Sequence, residues 1–344
     1  MKAIGLSTSL PIDDPQSLFE FDAPTPTPGP RDLLVRVRAV SLNPVDWKQR
    51  KRVAQGVTLP EPRILGYDAS GVVEAVGPEA TLFRPGDAVF YAGSMQRQGT
   101  NAELHLVDER IVGRKPASLT DAEAAALPLT SLTAWEAIFD RLKIPDRLRV
   151  PEGSGAGKAL LIVGGAGGVG SVAIQIAKQL TRLEVIATAS RDESARWCRD
   201  LGADAIADHR DLVASVRGLG RQHVDFILCT NDFEGHWRSL CELVAPQGAI
   251  CSILGARQLD DVSQLMAKSA TLAWELMFTR STFQTDDMIE QHRILDRIAE
   301  LADAGRLRTT LTRTLRGLTA ESHRQAHELV EAGHMTGKLA IVYG

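Results

Sequence analysis

From Leu33 to Val40 the apolar Val35, Val37 and Ala39 alternate with Arg36 and Arg38, which is the period of a strand with one wet face. Short strands of the same kind are predicted at Gly71 to Gly77 and at Asp87 to Tyr91, on either side of Arg84-Pro85-Gly86. In that turn proline fixes one dihedral and glycine accepts the other. The prolines between Ala23 and Pro30 exclude helix from the connector that precedes these strands. Residues up to about 130 therefore read as a mostly β domain, a partly open barrel.

Beyond Leu160 the pattern changes. A continuous apolar run, Leu160 to Val163, meets a glycine turn, and then Val169, Val172, Ala173, Ile176 and Leu180 fall on one helical face. Glu184 to Thr188 reads as a second strand, followed by a helix from Asp192 to Leu201 that Gly202 closes. Val224 to Cys229 and Gly248 to Ile253 supply further short buried strands. Strands alternating with helices predict βαβ units and a parallel, doubly wound sheet. Two later helices, near Met288 to Ala304 and Glu321 to Ala332, precede a last strand at Gly337 to Val342 that returns to the first domain. The chain thus divides into residues 1–132 with 280–344, and residues 133–279.

The glycine turn carries chemistry. Gly165, Gly167 and Gly170 fill G-x-G-x-x-G between a strand and a helix, where the chain turns tightly, admits a pyrophosphate to its backbone and packs the helix on the strand. The first helical residues, Gly168, Val169 and Gly170, aim free amides and a positive dipole end at the phosphates. After the second strand, where an acidic residue would bind ribose hydroxyls, the chain reads Thr188-Ala189-Ser190-Arg191. A hydroxyl and a guanidinium suit an extra phosphate, which favours NADPH over NADH. Ser190 also reads as a helix cap with Glu193 completing a capping box, and Asp192 lies within reach of a ribose.

The 344 residues suffice for a large core without metal or disulfide support. A net charge of −4 and a pI near 6.1, with Lys and Arg spread along the chain, give no reason to expect nucleic acid or an acidic membrane surface as partner. All four cysteines, Cys198, Cys229, Cys241 and Cys251, lie in or near apolar segments and read as reduced thiols of a cytoplasmic protein. No run has the length of a signal peptide's apolar core or a membrane span.

The order of Asn43-Pro44-Val45-Asp46, Leu65-Gly66-Tyr67-Asp68, Arg84-Pro85-Gly86-Asp87, Leu129-Thr130-Ser131-Leu132-Thr133-Ala134-Trp135, the glycine turn and Gly337-Lys338 resembles the medium-chain dehydrogenase/reductase superfamily. Within it the chain looks most like the quinone oxidoreductase branch, among proteins usually called zinc-type alcohol dehydrogenase-like. The resemblance implies a GroES-like catalytic domain, a Rossmann domain and a cleft between them for cofactor and substrate. It also implies a homodimer paired through Rossmann edge strands, for which Ala270 to Trp274 offers an apolar edge.

The chain departs from the zinc-dependent members. Their ligands are a cysteine after the first strand, a Gly-His-Glu segment and a later Cys or Asp. Here those places read Ser41-Leu42-Asn43 and Gly66-Tyr67-Asp68, and residues 1–197 contain no cysteine. No metal is expected, although Asp46, Asp68 and His105 are oxygen and nitrogen donors. His323 and His327, four apart on a helix, read as ordinary surface histidines. Without a Lewis acid, hydride transfer is easiest to a conjugated acceptor that spreads the charge. The expectation is an NADPH-dependent reduction of a quinone or an α,β-unsaturated carbonyl compound. Zinc-assisted alcohol or carbonyl chemistry and a non-catalytic NADPH-binding protein stay open as alternatives.

Carried over residue by residue, the resemblance places Asn43 on the nicotinamide ribose and Thr133, read here at a helix start, against the nicotinamide; each is otherwise a turn or cap residue. Tyr67 stands where the zinc enzymes have histidine, as a proton relay or as an aromatic wall. Asp46 and Lys48 form a short polar relay or a surface pair. His209 is placed near adenine and Ile253 on the nicotinamide floor, both by position. Tyr91 is a candidate for substrate packing, Trp274 reads as core, and Lys338 either reaches a phosphate or caps the last strand.

Overall fold

The computed structural model describes residues 1–145 and 156–343. They fall into two compact units, Met1–Leu132 with Phe278–Gly344, and Thr133–Met277.

The first unit is built on the strand Asp32–Ser41. One edge of it pairs antiparallel with Asp68–Val76, which continues the sheet through Ala88–Tyr91 to Val112–Arg114. The other edge is shared: Leu104–Asp108 takes its first half and the C-terminal strand Lys338–Val342 takes its end, with Leu311–Arg316 outermost. A three-stranded sheet of Phe19–Asp22, Lys2–Leu6 and Arg63–Ile64 completes a partly open barrel. Its core holds Val35, Val37, Val73, Val89, Leu339 and Ile341, the inward positions of the alternating strands.

The second unit is one parallel sheet. Its spatial order is Ala205–Ala207, Glu184–Thr188, Ala159–Val163, Val224–Cys229, Val244–Ser252 and Thr271–Trp274, all pairings parallel. In chain order that is third, second, first, fourth, fifth, sixth, the doubly wound arrangement whose ligands sit beyond the carboxyl ends of the strands. Ala159–Val163 is wholly buried, as a central parallel strand must be.

Several side chains lie elsewhere than the sequence suggested. His323 and His327 are fully buried, on the inner face of the helix Ala320–Glu331; spacing of four assigns two residues to one face without saying which way that face points. His323 bonds Thr319 O and the Tyr343 hydroxyl. Tyr91 is also fully buried, its hydroxyl on His105 Nδ1 at 3.1 Å, and so belongs to the core. Trp274 is half exposed, because its strand ends the sheet. All four cysteines are buried and free, with burial holding each thiol above its ordinary value. No helix among the described residues is long and apolar enough to cross a membrane.

Candidate functional site

In the second unit the turn after Ala159–Val163 leads to the helix Gly168–Leu180, with Gly167 at its N-cap. The glycines there are required by space. A Cβ on Gly170 would lie 2.3 Å from Gly164 O, and one on Gly165 would lie 2.7 Å from Ala187 Cβ. A Cβ on Gly167 would meet only Gly164 O, at 3.5 Å, an ordinary van der Waals contact, so packing alone does not require glycine there. The amides of Gly168, Val169 and Gly170 form the first helical turn and have no intrahelical acceptor. Backbone donors at a helix N-terminus fit a pyrophosphate.

The second strand reaches this turn directly: Gly164 N donates to Thr188 Oγ1 at 2.9 Å and Gly165 N to Thr188 O at 3.3 Å. Ser190 and Arg191, both exposed, follow at once. The cap of the next helix, Asp192–Asp200, is Arg191, with Ser194 Oγ accepting from Arg191 N. The Ser190 to Glu193 capping box is therefore not formed. Ala189 N donates to Ala207 O, which brings in the third strand, and His209 follows it with its ring edge-on to His236. Ile253 succeeds the fifth strand and donates its N–H to Cys229 O. Gly167, Ser190 and His209 thus follow the carboxyl ends of three adjacent parallel strands, and Ile253 that of a fourth strand of the same sheet, separated from them by Val224–Cys229. Thr133 is not a cap: its helix runs Pro128–Trp135, starting at the proline, and Thr133 is buried in its second turn.

The first unit holds a buried polar cluster, assembled by strand register. Ser41 pairs with Asp68 across one edge and with Ala340 across the other. Two residues on, Asn43 thereby comes between Asp68 and Lys338, where Asn43 Nδ2 donates to Asp68 Oδ2 at 2.8 Å. Lys338 Nζ donates to Asn43 Oδ1 at 2.5 Å, Leu42 O at 2.7 Å and Asp68 Oδ2 at 3.1 Å. Asp68 Oδ1 accepts from Leu129 N at 2.7 Å. Pro44 then opens the helix Pro44–Arg52, and Asp46 in its first turn accepts Asn43 N at 2.7 Å. Asn43, Asp46, Asp68 and Lys338 are each at most 4% exposed.

One ammonium faces two carboxylates here, and burial penalises the surplus charge. Burial pushes Asp46 up to about 7, against the pull of the Asn43 amide and Lys338. Its Oδ1 is enclosed without a partner. Burial also raises Asp68 and lowers Lys338, each opposed by the other's charge. Tyr67 packs against Phe278 at 4.9 Å between ring centroids, and burial, then the Asp46 charge, raises its phenol. The Asp46–Lys48 relay is absent, because residues two apart on a helix do not face each other; Lys48 Nζ lies 5.7 Å from the Trp47 ring centroid.

The Lys338 ammonium is spent on this cluster. Its place in the cluster, like that of Asp68, was missed because the register of the terminal strand cannot be read from composition. The sequence reading also missed Glu275, fully buried with Arg141 Nε on its Oε2 at 2.7 Å and raised by burial and by Glu136.

Residues 29–117 match the family described as alcohol dehydrogenase GroES-like domain, and residues 201–341 match zinc-binding dehydrogenase. A zinc-type alcohol dehydrogenase-like protein of Staphylococcus aureus is 43% identical over 343 residues, 99% of each chain. The human mitochondrial NAD(P)H oxidoreductase is 32% identical, over 91% of this chain and 82% of its own. Among solved structures, a Rhizobium etli protein provisionally described as a zinc-dependent alcohol dehydrogenase superposes with a TM-score of 0.93 at 50% identity, covering 100% and 98% of the two chains. A Coxiella burnetii quinone oxidoreductase gives 0.79 at 28%, covering 100% and 99%. The chain belongs to the medium-chain dehydrogenase/reductase superfamily, among its zinc-type alcohol dehydrogenase-like members. It is an oxidoreductase of that type, with a GroES-like unit, a Rossmann unit and a nicotinamide cofactor.

The residues in the zinc position do not fit the metal their relatives' names carry. Asp68 and the Asn43 carbonyl oxygen are already taken by the Lys338 ammonium. Both His105 nitrogens are engaged, with Tyr91 and Gln98 O. Among the described residues no three His, Cys, Asp or Glu side chains converge as a ligand group.

Proposed function

We propose that this oxidoreductase uses NADPH to reduce a conjugated acceptor, a quinone or an α,β-unsaturated carbonyl compound, with no zinc in the reaction. The observation that carries the reading is the closed donor set around Lys338: a cation already fills the place a Lewis acid would need, so hydrogen-bond donors alone meet the developing negative charge. Such donors suffice where that charge spreads over a conjugated system. The similarity to an NAD(P)H oxidoreductase and to a quinone oxidoreductase supports it.

Bound NADPH supplies the hydride. In this reading the Gly165, Gly167, Gly168, Val169 and Gly170 backbone holds its pyrophosphate, Ser190 and Arg191 hold the extra phosphate, and His209 borders adenine. Asn43 holds the nicotinamide ribose, with Thr133 and Ile253 against the ring. The Tyr67 hydroxyl donates to the acceptor's carbonyl oxygen, and Asp46 holds a proton at neutral pH for delivery beside it. Lys48 has no part.

The test is steady-state oxidation of NADPH beside NADH by chelator-treated protein, with a quinone, an enone, an enal and a plain ketone. Turnover of a conjugated acceptor with NADPH is expected, the plain ketone being inert. Activity that appears only when zinc is restored would overturn the reading. Tight NADPH binding with no turnover in either state would make the chain a nucleotide-binding protein instead.

A further inference from the structure

We infer that Lys338 is a positioning residue that fixes which way the Asn43 side-chain amide points, and through it the binding of the cofactor; the inference rests on the reading of Asn43 as a cofactor contact. An amide's oxygen and nitrogen are nearly the same size, so neighbours alone choose its orientation. Asn43 has an unusually decisive pair. The Lys338 ammonium can only donate and the Asp68 carboxylate can only accept. With Nζ at 2.5 Å from one end of the amide and Asp68 Oδ2 at 2.8 Å from the other, oxygen must face lysine and nitrogen must face aspartate. The flipped amide would set N–H groups against an ammonium and an oxygen against a carboxylate, among side chains at most 4% exposed.

The rest of the cluster keeps the lysine in that place. Its other two donors are held by Leu42 O and Asp68, and its strand is registered on Asp32–Ser41 through Ala340 and Ser41. Asp46 fixes the Asn43 backbone from the far side. The second N–H of Asn43 Nδ2 is therefore given a single direction before any ligand arrives, which lowers the ordering cost of binding.

The experiment is a double-mutant cycle read by fluorescence titration of NADPH, with folding checked by circular dichroism, on wild type, Lys338→Met, Asn43→Ala and the double variant. Each single variant is expected to bind about tenfold more weakly, the loss of one well-placed hydrogen bond. The double variant is expected to bind no more weakly than Asn43→Ala. Wild-type affinity in Lys338→Met, or losses that multiply in the double variant, would overturn the inference while leaving Asn43 as a contact. Wild-type affinity in Asn43→Ala would overturn the reading of Asn43 itself. Should Lys338→Met fail to fold, Lys338→Gln takes its place in the cycle. In Lys338→Ala, added n-propylammonium is expected to restore binding and tetramethylammonium to leave it weak, since only the first carries N–H donors. Restoration by both would show that charge alone matters and would overturn orientation by hydrogen bonding.

Discussion

Asp46 and His327 are buried to similar degrees and titrate in opposite senses. For Asp46 the protonated form is favoured in the fold, so its contribution is complete below the ordinary carboxylate range and is lost as pH rises through about 7. Asp46→Asn keeps an acceptor for Asn43 N and carries no charge. Thermal melts at pH 8 should show it more stable than wild type by on the order of 1–3 kcal/mol. If Asp46 delivers the proton, kcat for a conjugated acceptor should fall above pH 7 in wild type and lose that limb in Asp46→Asn. Tyr67→Phe should lower kcat by about 10- to 100-fold with the NADPH KM unchanged, measured by varying NADPH at saturating acceptor. His327 has both ring nitrogens enclosed without partners, and burial lowers it to about 3. Its contribution is present above the ordinary imidazole value and is lost as pH falls toward 3, on the order of 2–4 kcal/mol. A His327→Leu variant should melt at a temperature much less sensitive to acid. Asn43, Asp46 and Tyr67 were visible as residues because turn chemistry and motif order mark them. The direction in which His327 faces was not, since periodicity ranks faces without orienting them.

At the scale of elements, the glycine turn separates space needed for folding from space needed for a ligand. Gly170→Ala puts a methyl 2.3 Å from Gly164 O and 2.7 Å from Gly165 Cα, both backbone atoms that cannot yield. It should cost about 2–3 kcal/mol in denaturant unfolding. Gly167→Ala brings its methyl only to an ordinary contact, 3.5 Å from Gly164 O, at an ordinary φ of −72°. Unfolding should be unchanged within about 0.5 kcal/mol, while titration shows NADPH affinity reduced at least tenfold. The central parallel strand was legible because it is an unbroken apolar run with a turn signal after it, Leu160 to Gly165. Helix starts were less so: Thr133 and Ser190 both resemble caps by residue type, yet Pro128 and Arg191 hold the boundaries. Hydroxyl residues are good caps wherever the chain happens to turn, and the turn is decided by packing.

At the scale of the whole molecule, the strand Thr271–Trp274 ends its sheet with one edge unpaired among the described residues, and Trp274 and Leu276 beside it are 50% and 54% exposed. A second copy added antiparallel at that edge would extend the sheet and cover both side chains. Sedimentation should find a dimer, and Leu276→Arg should shift it to monomer without lowering the melting temperature of the monomeric unit. The division of the chain was legible from the change of period near Leu160, but the path by which its end rejoins its beginning rested on one short apolar run, Leu339 to Val342. That path governs the order of events during synthesis. The first unit's central strand is complete by Ser41, yet its partner at that end does not exist until Lys338–Val342 has been made. The intervening sheet unit can therefore finish folding on the ribosome while the older segment still waits with an open edge. Synthesis of Lys338–Val342 would close that edge and complete the Asn43 cluster together, so that a chain lacking this strand would keep its nucleotide fold but leave the end of Asp32–Ser41 unpaired on one side and Asn43 without its lysine.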